Sequence, residues 1–130
     1  VFWASCVFVI DKDKKVLILR RSDSIGTHRG KWALPGGKAE LTELPEDTAI
    51  REIREETELI LNESTLNFLH KSIRGPKDIY FFWSNDWSGK VSLDHEHEED
   101  DWVPLEELDS RLQIPIDKGL ISKLIKALKA

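Results

Sequence analysis

"GKAELTELPEDTAIREIREETEL", residues 37–59, closes on nine positions that carry four glutamates: Glu52, Glu55, Glu56 and Glu58. Pro45 suits the first position of a helix, and Glu46 and Asp47 favour its positive N-terminal end, which predicts a helix over 45–58. At 100° per residue, Glu52, Glu55 and Glu56 fall within about a 100° arc of one face. Ala49, Ile50, Ile53 and Thr57 occupy the adjoining face and are expected to bury against a sheet. Like charges at these spacings cost a few tenths of a kcal/mol per pair, roughly, in water. Near a core edge the cost grows. Two readings answer it. The face is either solvated and balanced by Arg51 and Arg54, or it holds a hard cation, since Mg²⁺ and Mn²⁺ prefer carboxylate and carbonyl oxygens.

Upstream of the helix, residues 2–10 and 16–21 ("VLILRR") read as two strands joined by the polar turn "DKDKK". Residues 22–44 hold Gly26, Gly30, Pro35, Gly36 and Gly37 and predict loop, with a short strand around Trp32. Downstream, strands are expected at 66–74, 78–84 and 90–93, then an acidic loop, "DHEHEEDD", over 94–101. "WVPLEEL" reads as a brief strand and a helical turn. From Asp117 the chain reads as an amphipathic helix, with Leu120, Ile121, Leu124, Ile125 and Leu128 on one stripe and four lysines outside it. That stripe is expected to pack on the domain's own sheet rather than on a partner or a membrane surface. Strands with two main helices predict an α/β fold in one domain, residues 1–130.

At 130 residues, 40% apolar and 33% charged, the chain is long enough for a core of its own. A net charge of −5 argues against nonspecific binding of duplex nucleic acid or anionic membranes. An anionic substrate would need local basic residues or a metal. Cys6 is the single cysteine, which fits a reducing cytoplasm. The run "VFWASCVFVI" has no basic segment before it and leads into a second strand, so it reads as a buried strand rather than a signal core. The absence of methionine leads us to expect residues before Val1.

The loop before the glutamate helix decides between its two readings. Counting from Gly37, five residues lead to Glu43, seven more to Arg51-Glu52, then Ile53, one free position and Glu55-Glu56. This resembles the Nudix box, Gly-x5-Glu-x7-Arg-Glu-U-x-Glu-Glu-x-Gly-U with U aliphatic, at eight of its nine specified positions. The preceding "GKWALPGG" and the strand order extend the likeness. The departure is Glu58, where the pattern has glycine; a left-handed turn there costs a residue with a Cβ roughly 1 kcal/mol.

The resemblance implies a Nudix-type α/β/α sandwich, a mixed β-sheet between helices. It also implies a Mg²⁺- or Mn²⁺-dependent pyrophosphohydrolase that cuts a phosphoanhydride bond in a nucleoside triphosphate or another nucleoside diphosphate derivative. Dinucleoside polyphosphates and nucleotide-sugars are the alternative substrates, and a nucleotide-sensing module without turnover is the alternative role. Carried over by position, Glu52, Glu55, Glu56 and the Gly36 carbonyl would hold the metal, and Glu52 would also activate water. Gly37, Glu43 and Arg51 would be structural, with Glu43 paired to Arg51. Glu96, six residues before Trp102, is similar to a further family glutamate that serves as ligand or base, with Glu98 and Glu99 behind it. Arg20, Arg21, Arg29 and Lys38 are candidates for phosphate contacts, each with a solvated surface charge as its alternative. Trp32 or Trp83 would stack on a base, or else belong to the core. His95 and His97 are a weaker candidate zinc pair. The partner expected is a small-molecule nucleotide, and the protein a monomer or homodimer in the cytoplasm.

Overall fold

The computed structural model describes residues 2–130. Strand β1, Phe2–Val9, lies at the centre of a mixed sheet, antiparallel to β4 (Gly36–Lys38) and parallel to β7 (Lys77–Ser84). β6 (Asn67–Arg74) closes that sheet antiparallel to β7. A second, antiparallel sheet runs β3 (Trp32–Ala33), β2 (Lys15–Arg21), β9 (His97–Pro104). A small pair, β5 (Ile60–Leu61) with β8 (Trp87–Ser88), sits apart.

Alternation along the strands sorts the core into two layers. Phe8 of β1 and Ile10 just beyond its end, with Val16 and Ile18 of β2, pack against Leu120 and Leu124 of α3, Leu120–Lys129. Val7, Val9, Leu17 and Leu19 point the other way, onto Ala49 and Ile53 of α1, Pro45–Thr57. Between α1 and α3 lies the four-residue helix α2, Leu108–Arg111. The arrangement is the expected α/β sandwich with helices on both faces. Fully burying one aliphatic side chain contributes roughly 1.5–3 kcal/mol. Ile53 and Leu59, both fully buried, therefore hold α1 firmly on its sheet and fix the direction of its glutamates. The α3 stripe packs on the domain's own core, as its periodicity predicts.

Two expectations are corrected. Residues 90–93 form no strand; the strand lies earlier, at Trp87–Ser88. The segment instead closes the end of α1, with the Ser92 N–H donating to the Thr57 carbonyl at 2.9 Å and the Asp94 N–H to the Glu56 carbonyl at 3.2 Å. The last carbonyls of a helix need outside donors, and this segment supplies two. The acidic loop is also shorter than expected, because strand β9 begins at His97. β9 is an edge strand, where charged side chains reach solvent or cationic partners without burial. Arg20 neutralises Glu98 and Glu99, and Arg111 pairs with Asp101.

Helix α1 stops at Thr57, and Glu58 takes the left-handed conformation at φ 62°, its N–H donating to the Arg54 carbonyl. A Cβ is strained there. Glu58→Gly is expected to stabilise the domain by about 0.5–1 kcal/mol, after allowing for the looser unfolded chain. Urea unfolding checks this; a clear loss of stability would show that the side chain contributes more than the strain removes.

Candidate metal-dependent active site

The paired glycines bring the loop against the helix. Gly36 lies beside β1 so closely that an added Cβ would stand 2.2 Å from the Ser5 carbonyl oxygen. Its N–H donates to Glu56 Oε1 at 2.9 Å. At Gly37 an added Cβ would fall 2.5 Å from the Glu52 carboxylate. Both glutamates of α1 therefore reach the loop only because these positions carry no side chain.

Arg51 fastens the loop to the helix. Its Nε donates to Glu43 Oε2 at 2.6 Å and its Nη2 to Glu43 Oε1 at 2.9 Å, a two-pronged pair. Nη2 also reaches the Lys38 carbonyl, and Nη1 spans Glu52 and Glu55, at 2.9 Å from one oxygen of each. The Arg51 guanidinium, with a backbone N–H and the Thr48 hydroxyl, holds the Glu43 carboxyl down to about 2 from its ordinary 4.5. A carboxyl with a folded pKa below its unfolded one stabilises above the unfolded value and loses that contribution as pH falls through the folded one. The stability difference between the protein and Glu43→Gln is thus expected to shrink as pH falls from 4.5 toward 2. Urea unfolding at stepped pH measures it, and a flat difference across that window would remove Glu43 as an ionised anchor.

The remaining carboxylates behave oppositely. Glu56 is 4% exposed, and burial drives its pKa well up, with the Glu52 charge adding to the effect. Glu52 is also raised, by burial first, with the charges of Glu55 and Glu96 pushing the same way against Arg51. The Glu96 charge thus acts on Glu52, and the Glu96 backbone carbonyl accepts from the Ser22 N–H at 2.9 Å. Asp94, a residue the sequence reading passed over, adds to the negative field at Glu56 while its Oδ1 meets His97 Nδ1 at 2.7 Å. The signal was an acid three residues before a histidine, hidden within a run of acids.

The other candidates separate. Arg21, rather than Arg20, is the arginine whose charge reaches Glu56. Arg20 is engaged by three carboxylates, those of Asp23, Glu98 and Glu99. Arg29 is exposed, its Nε donating to the Gly26 carbonyl, and Lys38 is exposed at the end of β4. Trp32 and Trp83 both pack partly against the α3-side core, and the Arg111 guanidinium lies 5.4 Å from the Trp32 ring centroid. His97 is buried on Asp94 while His95 is exposed, so the two do not form a zinc pair.

A family model described as "NUDIX domain" matches residues 2–124. The chain belongs to the NUDIX family. Over 64 residues, 49% of this chain, it is 39% identical to the ADP-ribose pyrophosphatase of Methanocaldococcus jannaschii. Over 63 residues, 48% of this chain, it is 41% identical to the m7GpppN-mRNA hydrolase NUDT17 of Xenopus laevis. These matches span 37% and 21% of the two relatives' own length. The crystal structure of the MutT protein from Methanosarcina mazei superposes with a TM-score of 0.80 at 24% identity, over 99% of this chain and 96% of that one, a likeness of fold.

Nudix hydrolases generally use a divalent metal, and the residues of this Nudix domain fit one. Glu56 is a buried carboxylate with one backbone N–H as its hydrogen-bond partner and a second carboxylate, Glu52, acting on it electrostatically. Oxygen donors of this kind suit a hard cation. Among the described residues no three His, Cys, Asp or Glu side chains already stand gathered as a metal cluster. Burial first, then the Glu56 charge, push the Cys6 thiol up to about 12, which keeps it protonated in the metal-free protein.

Proposed function

We propose that this Nudix domain hydrolyses a phosphoanhydride bond in a nucleoside triphosphate or another nucleoside diphosphate derivative, ADP-ribose included, with Mg²⁺ or Mn²⁺. The buried, cation-poor Glu56 beside Glu52 is the observation that carries this reading. A fold that sinks this carboxyl to 4% exposure, where the Glu52 and Asp94 charges add to the burial cost and the Gly36 N–H and the Arg21 charge offset it, leaves an electrostatic demand that a divalent ion would satisfy. The name of the M. jannaschii relative supports a nucleoside diphosphate derivative as substrate. The lone free cysteine suits a cytoplasmic setting.

Glu52, Glu55, Glu56, Glu96 and the Gly36 carbonyl would hold the ion. When bound, it supplies charge neutralisation at the phosphates and a lowered pKa for water. The chain's own residues do the rest. Glu52, whose pKa burial raises above the ordinary carboxylate value, takes the proton of the attacking water. Arg21, Lys38 and Arg29 meet phosphate oxygens from the loop side. Glu43 and Arg51 keep the loop and helix in register so that these groups converge.

Incubation of the protein with a panel of nucleotides and Mg²⁺, products resolved by chromatography, tests the activity. Glu52→Gln is expected to lower turnover by at least about a hundredfold while preserving the fold, since Glu and Gln have similar helix propensity. Wild-type rates in that variant at saturating Mg²⁺ would rule out both roles of Glu52. Nucleotide binding without turnover in the unaltered protein would make this a sensing module.

A further inference from the structure

Where β2 meets β9 the register slips: Arg20 stands opposite Glu99 and Arg21 opposite His97, leaving Glu98 as an extra residue in β9. Such a bulge bends its strand and re-aims neighbouring side chains. Here it falls two residues after Glu96. One side chain holds it. Arg20 Nη2 donates to Glu98 Oε2 at 2.7 Å, Nε to Glu99 Oε1 at 2.9 Å, and Nη1 to Asp23 Oδ1 at 3.1 Å. The other Glu98 oxygen, Oε1, accepts from the Asp23 N–H at 3.0 Å. The Ser22 N–H donates to the Glu96 carbonyl at 2.9 Å. Every link between the bulge and the loop that begins at Ser22 thus involves Arg20, its partner Glu98, or Glu96 itself.

We infer that Arg20 is a positioning residue, which clamps the Glu98 bulge so that Glu96 faces the glutamates of α1. This rests on the proposed role of Glu96 and deepens it. A guanidinium that donates from all three nitrogens to carboxylates sits in a cluster of three anions that repels a phosphate, so Arg20 acts on the reaction through Glu96. Lysine cannot replace it, because a single ammonium cannot hold three carboxylates at these separate angles. Removal of Arg20 leaves Asp23, Glu98 and Glu99 facing one another, and their repulsion opens the clamp. The effect spreads to the Ser22–Glu96 bond, not to the substrate contacts of the glycine loop.

A double-mutant cycle between Arg20→Ala and Glu96→Gln tests this, read by kcat, KM and Mn²⁺ affinity from calorimetry. Arg20→Ala is expected to lower kcat at least tenfold with KM within twofold, and to weaken Mn²⁺ binding by about the factor seen in Glu96→Gln. In the Glu96→Gln background it should lower neither quantity by more than twofold. Arg20→Lys, which keeps the charge and guards against a folding defect, should resemble Arg20→Ala. Hydrogen exchange at the Ser22 and Asp23 amides should quicken in both while core amides stay protected. A raised KM that persists in the Glu96→Gln background would return Arg20 to phosphate binding and overturn the inference. Full activity in Arg20→Lys would overturn it as well. If the unaltered protein turns over no nucleotide, the hydrolase reading fails by itself, and the Mn²⁺ cycle decides on the clamp: additive losses sink it.

Discussion

Glu56→Gln is expected to make the protein more stable and less active at once. The side chain is buried, its charge is disfavoured by burial and by Glu52, and its hydrogen-bond partner is the Gly36 N–H. Glutamine keeps an oxygen to accept that bond and removes the charge. Relief of a buried, poorly compensated carboxylate is worth about 1–2 kcal/mol, or roughly 3–8 °C in melting temperature for a domain of this size. The sign has a pH signature. A carboxyl whose folded pKa lies above its unfolded value weakens the fold progressively as pH rises past the ordinary 4.5. The gain in melting temperature should therefore vanish near pH 4.5 and grow toward neutrality. Turnover should fall by at least about a hundredfold, because a proposed metal-holding oxygen becomes an amide. Added Mg²⁺ should raise the melting temperature of the unaltered protein more than that of the variant. Loss of stability together with activity at pH 7 would mark Glu56 as a structural group instead.

This opposition of stability and activity explains why the acidic face was legible from sequence at all. Four glutamates in nine residues make poor sense for packing, and the glycine and Glu43 at fixed distances gave the excess a purpose. Helix α1 and the central strands were also legible, since their apolar periodicity matches the layers they occupy. The region from 90 to 101 was not. There, side-chain chemistry reads as a short strand and then an acidic loop, while the structure is set by partners distant in the chain. Arg20 and Arg111 make a strand of acids tolerable, and the free carbonyls of α1 recruit Ser92 and Asp94. The carboxylates that engage Arg20 were hidden for the same reason: a sequence shows a cation but not which carboxylates face it. Arg20 and Arg21 are neighbours in the chain, and strand alternation sends them to different partners.

Two adjacent glycines should fail in different ways when replaced by alanine. At Gly37 the new Cβ meets the carboxylate of Glu52, at 2.5 Å from its carbon and one oxygen and 2.8 Å from the other. That group is the far end of a flexible side chain and can swing aside. The fold should keep its stability, or gain up to about 1 kcal/mol as the unfolded chain loses freedom. Glu52, however, can no longer sit over the loop. A displacement of about 1 Å in a reacting group can cost a hundredfold, so turnover should drop at least that far. At Gly36 the Cβ meets backbone: the Ser5 carbonyl oxygen at 2.2 Å and Cys6 Cα at 2.7 Å, both in the central strand β1. That strand is paired on both sides and cannot yield. Gly36→Ala should destabilise by about 3 kcal/mol or more, or prevent folding. Melting curves and turnover on the two proteins, side by side, separate the effects. A Gly37→Ala protein with full activity would mean that Glu52 does its work from another position. A Gly36→Ala protein with unchanged melting would mean that β4 can move away from β1, and the close approach that delivers the Gly36 N–H to Glu56 would lose its meaning.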